Sequence, residues 1–131
     1  MTTRQPTTEQ TLRKLYHQLM AGNHEAFAAA QYDVAYHALM AALHCAQELK
    51  GGHALEEIER IAAEQLTEID AQHPEYQHST RSAAARGHES IFATLSRQAR
   101  ARRHLLQVEA QKPTPIAAPP DSEPEAGSAK K

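Results

Sequence analysis

Apolar side chains return along this chain in steps of three, four and seven, in four successive stretches separated by turn-forming residues. A helix turns once every 3.6 residues, so this spacing gathers the apolar groups on one face of each segment. In the first stretch they are Leu12, Leu15, Tyr16, Leu19, Ala26, Phe27 and Ala30, which predicts a helix over 8–29. Thr7 and Gln10 have the form of a capping box at its start, with a hydroxyl and an amide answering two backbone N–H groups. The phase carries through Gly22-Asn23, where a break is the main alternative, because glycine costs a helix about 1 kcal/mol relative to alanine. Ala30-Gln31 reads as a tight turn into a second helix over 32–50, with Ala35, Ala38, Leu39, Ala42, Ala46 and Leu49 inward. Gly51-Gly52 is expected to end that helix, since glycine adopts the left-handed conformation without a steric penalty. A third helix, 54–71, turns Leu55, Ile58, Ile61 or Ala62, Leu66 and Ile69 inward and stops at His73-Pro74, because the residue before a proline is pushed out of the helical region. Ser79 or Thr80 caps a fourth, 80–110, with the stripe Ala84, His88, Ile91, Phe92, Leu95, Ala99 and Leu106, interrupted by Arg102.

Four such helices with short connections predict an all-α protein, an antiparallel four-helix array or bundle over 8–110, after a flexible N-terminus at 1–7. Residues 113–131 hold five prolines among Ala, Ser, Glu and Lys. A segment of that kind buries too little apolar surface to offset its ordering entropy, so 111–131 reads as a disordered tail. Cys45 is the only cysteine, which excludes an intramolecular disulfide and a thiolate zinc cluster and suits a reducing, cytoplasmic setting. No stretch approaches the roughly 20 apolar residues of a membrane span, and no signal peptide is expected at Met1–Pro6.

The segment from Phe27 to Ala35, with Leu39 and Ala42 beyond it, resembles the middle of a tetratricopeptide repeat. Ala30-Gln31-Tyr32 stands where that family carries a Gly-Asp-Tyr turn, Ala35 and Ala42 at its small positions, and Leu39 at its large apolar one. Small residues two turns apart let a partner helix approach closely while Leu39 fills the gap. The match covers about 40 residues loosely (12–50), with Ala30 in place of the turn glycine and no second copy downstream. The resemblance implies a protein-binding module without catalysis. On that reading Tyr32, Tyr36, His37, Met40 and His44, the part of the second helix left over from the core, are candidate contacts for a protein partner or for self-association.

The chain has nine histidines. His17 and His24 are seven apart on the first helix, and His37 and His44 seven apart on the second, so a hairpin would bring them to matched heights. Imidazoles so arranged form the candidate metal set, for zinc, nickel or copper. Both pairs lie far round the helix from the apolar stripe, which favours solvated histidines, and no cofactor is expected. His88, on the apolar stripe, is expected in the core.

Charge is divided sharply. Residues 48–75 carry eight acids against Lys50 and Arg60, and residues 81–104 six arginines against Glu89. The third and fourth helices are therefore expected side by side. Arg97, Arg100, Arg102 and Arg103 cover more than one face, which leaves some for an acidic partner or a phosphate. The net charge of −2 and the lack of stacking aromatics argue against nucleic acid. His44-Cys45 cannot form a nucleophile–base pair, since helix neighbours point about 100° apart. No enzyme activity is expected.

Overall fold

A computed structural model describes residues 5–112, and the readings of 1–4 and of the tail at 113–131 lie outside it. The chain is all-helical: α1 (Thr8–Ala28), α2 (Tyr32–Leu49), α3 (Gly52–Gln72), a short α4 (Thr80–Ala85) and α5 (Ile91–Gln111), with no strand among the described residues. None of these helices is long and apolar enough to cross a membrane.

The capping box at Thr7 forms as expected, with Gln10 N donating to the Thr7 hydroxyl and Thr7 N to the Gln10 amide oxygen. α1 runs unbroken through Gly22-Asn23. Three helices end in one way. The sixth residue donates back to the carbonyl of the first: Gln31 N to Ala26 O, Gly51 N to Ala46 O and His88 N to Ala83 O. This closure needs a left-handed residue just before the donor. Those residues are Ala30 (φ 58), Lys50 (φ 51) and Gly87 (φ 76). The expected glycine stop after α2 is thus corrected: Lys50 takes the left-handed backbone, Gly51 is extended as the N-cap of α3, and Gly52 is already helical.

The fourth predicted helix is two. Gly87 closes α4, and Ser90 restarts the chain by accepting from Phe92 N, so 86–90 is a connection. The phase shifts there. Ala83, not Ala84, is buried, and His88 is exposed rather than in the core. The linker is firmly tied. Ser79 and Ser82 both donate to Pro74 O, Thr80 binds Asp70 through its N–H and its hydroxyl, and Ser90 donates to His78 O.

α1 packs along α2, α3 along α5, and α2 also touches α3 and α5. Between them lie Leu39, Ala42, Leu43, Ala46, Leu55, Ile58, Ala62, Leu95 and Ala99, all essentially without solvent exposure. α2 is enclosed on several sides, which is why Leu43 and Cys45 join the core beside the expected alanines. α1 contributes a thinner face. Tyr16 and Asn23 are its buried residues, whereas Leu15 is 42% exposed.

Candidate functional site

α2 and α5 meet near Tyr36 and Phe92, whose rings lie 5.6 Å apart edge to face. Below that contact the two helices leave a shallow cavity of about 340 Å³. Met40, Leu43, His44 and Gln47 line it from α2, and Gln98, Ala101 and Arg102 from α5. Helical spacing carries the row of Ala101 on to Leu105 and Val108, four and seven positions further. Leu105 is 55% exposed and Val108 44%. Leu106, one position round the helix, packs against the core instead. An apolar strip therefore leaves the cavity and continues into solvent, with His44 and Arg102 on its rim.

Of the nine candidate contact residues, the structure brings Met40, His44 and Arg102 together here. Tyr36 is half-buried against Phe92, and the exposed His37 lies edge-on to it at 5.3 Å. Tyr32 sits apart, at the α1–α2 turn, against Phe27, His73 and Tyr76. The hydroxyl of Tyr76 donates to Asp33 and ties the α3–α4 linker to the start of α2. The arginines divide as well. Arg97 binds Glu89 at 2.5 Å, which holds the Glu89 carboxyl below its usual range and raises the guanidinium's pKa. Arg100 and Arg103 turn to the other side of α5 and share Glu59, at 3.3 and 2.6 Å. Arg102 has no carboxylate within ion-pair distance among the described residues.

His17, His24, His37 and His44 are all exposed. Among the described residues, no group of three or more His, Cys, Asp or Glu side chains is placed to hold a metal ion. Cys45 is buried, and burial pushes its thiol pKa up. The hydroxyls of Ser79, Ser82, Ser90 and Ser96 each donate to a backbone carbonyl.

Other cavities lie along α3. One, of about 720 Å³, is bounded by Arg13, Tyr16 and His17 on one side and His53, Glu57 and Arg60 on the other. A second, about 560 Å³, adjoins it through Glu57 and Arg60 and reaches Phe27 and Glu68. Between the two, Tyr16 donates to Glu57 at 2.5 Å. Asn23 and Gln65 exchange two hydrogen bonds, of 2.7 and 3.2 Å, and Asn23 also donates to Ala35 O at 2.8 Å. Asn23, Gln65, Ala101, Leu105 and Val108 stand on none of the candidate-site patterns in the sequence. The last three were visible as steps of four and three, running beside the stripe that ends at Leu106. Comparison with family models, with curated proteins and with solved structures returns no match.

Proposed function

We propose that this chain is a non-catalytic helical module that binds a protein, or a copy of itself, through the face shared by α2 and α5. The observation that carries this reading is the apolar strip Met40, Ala101, Leu105 and Val108 with Arg102 and His44 at its edge. Large aliphatic groups beside a cation that lacks a partner are what a docking surface presents before it is covered.

The tetratricopeptide-like reading of the first hairpin belongs to the same proposal. It is supported by Ala35, Leu39 and Ala42, which are wholly buried. It is also supported by Ala30, which holds the left-handed backbone where that family carries glycine. The hydrogen bonds from Tyr16 to Glu57 and from Asn23 to Gln65 advance together along both helices. That advance suits two consecutive antiparallel pairs, α1–α2 and α3–α5, set side by side with their first helices parallel. Absence of catalysis is supported by the engaged serine hydroxyls and the buried thiol.

The test is photocrosslinking in living cells, with a photoreactive residue at position 40 or 108 and a control at the exposed Thr67. Discrete adducts from 40 and 108 and none from 67 are expected. Equal labelling from all three positions, or none, removes the assignment of this face.

A further inference from the structure

We propose that the α2–α5 face takes up the groove between α1 and α3 of a second copy, so that copies of this chain join head to tail. This rests on the docking face assigned above and adds the identity of its occupant.

The charge on the face narrows the choice. Arg102 lies beside exposed Leu105 and has no carboxylate partner among the described residues. His44 lies across the same cavity. A two-fold contact would press two such rims together with their cations facing, which is unfavourable. The occupant therefore needs an apolar floor and an acidic edge.

The molecule carries that surface between its other two long helices. The second α1–α3 cavity has Met20, Phe27 and Ile61 around the buried Asn23–Gln65 pair for a floor, and Glu57, Glu64 and Glu68 on its α3 wall. Its one arginine, Arg60, pairs with Glu64 at 3.1 Å and offsets that acid, which leaves Glu57 and Glu68 without a cationic partner among the described residues. The negative field extends past the end of the groove. Tyr32, beside Phe27, has its hydroxyl pKa raised by burial first and then by the charges of Glu68 and Glu75. The two adjoining cavities run along α1 from Arg13 to Phe27, about 20 Å at the helical rise. That is long enough for the last three turns of α5. Leu105 and Val108 would then rest on Met20, Phe27 and Ile61, with Arg102 toward Glu64 and Glu68. Because face and groove are different surfaces, each contact leaves one of each open, and growth continues until a ring closes.

Sedimentation of the full chain over a range of concentrations tests this, at low and at high salt. The expected result is a mass that rises with concentration at low salt and returns toward monomer when salt screens the rim charges. Leu105→Asp, on the face, and the pair Glu64→Lys and Glu68→Lys, in the groove, each weaken association by about tenfold or more. These positions are all exposed, and helical circular dichroism verifies that each variant folds. The decisive sample is an equimolar mixture of the two variants. One keeps an intact groove and the other an intact face, so the mixture forms a one-to-one complex and stops there.

A wild-type chain that stays monomeric overturns the proposal, as does self-association that survives either variant, or a mixture that fails to complement. The docking-face reading fails separately. Position 108 crosslinking to a different protein while the chain stays monomeric rejects the second copy and keeps the face. Crosslinks from neither position reject both.

Discussion

α3 is held on its two sides by different chemistry. Toward α1 the contacts are mostly uncharged: the buried amides of Asn23 and Gln65 bind each other, and Tyr16 donates to Glu57 and to Ala54 O. Toward α5 the side-chain pairs are ionic and half-exposed, with the Glu59 carboxylate gripped by Arg100 and Arg103 and its backbone carbonyl accepting from the buried Ser96, while Phe92, Leu95 and Ala99 supply the burial. A buried amide pair is directional, and losing half of it strands the other half. An ion pair at the rim acts over distance but is weakened by salt and water. The α1 side thus fixes register by geometry, and the α5 side guides approach by charge.

The strongest way to break this contrast is Asn23→Ala. It strands the Gln65 amide and removes the second bond to the Ala35 carbonyl, which keeps its helical partner, and should cost about 2–3 kcal/mol in denaturant unfolding, with little dependence on salt. The double variant with Gln65→Ala should cost less than the sum of the two single changes, and full additivity would mean that the amides act independently. Glu59→Gln, on the opposite side, should destabilise by a smaller amount at low salt and by almost nothing at high salt. A salt-independent loss would refute the rim description.

Alkaline pH should separate the sides again. The Tyr16 hydroxyl is pushed well above its ordinary pKa by burial first, then by its bond to Glu57. Tyr76 is raised in the same way by burial and by Asp33. The folded chain therefore holds these protons more tightly than the unfolded one. Their contribution is complete below pH of about 10 and is lost as pH rises beyond it. Tyr16→Phe should cost about 1 kcal/mol at neutral pH and flatten the alkaline decline, read by thermal melts across the range. An unchanged alkaline slope would discount Tyr16.

The smallest effect is a gain. Ala30→Gly relieves a left-handed alanine and should stabilise the hairpin by up to about 1 kcal/mol, the steric cost being partly offset by the greater freedom of glycine when unfolded. A loss would mean that the Ala30 methyl makes a contact outweighing its strain.

What the sequence made legible was local or periodic. The Thr7–Gln10 box and the stripes of α2 and α3 depend on residues within a few turns of one another, and they formed. The Gly87 stop and the Ser90 start were equally local, but a continuous apolar phase across 80–110 overrode them. Asn23 and Gln65 were hidden for another reason. They are polar, they stand where an apolar stripe is sought, and their partnership spans 42 residues of sequence. The candidate face was half legible. Met40 and His44 fell out as the remainder of α2, whereas Leu105 and Val108 stayed hidden beside the stripe that ends at Leu106.

The connection between α3 and α5 has a consequence for the order in which this molecule comes apart. The α1–α2 turn spans only Ala29–Gln31, whereas 73–90 must close before α5 reaches α3. Loop-closure entropy rises by roughly 0.6 kcal/mol with each doubling of length, so the longer connection starts at a disadvantage. Its hydrogen bonds to Pro74, His78 and Asp70 shorten the effective loop. Where those bonds open, the full length returns and α5 is the helix released. Amide protons of α5 should accordingly exchange with solvent before those of α2, and the apolar strip that α5 carries would be the first surface unmoored.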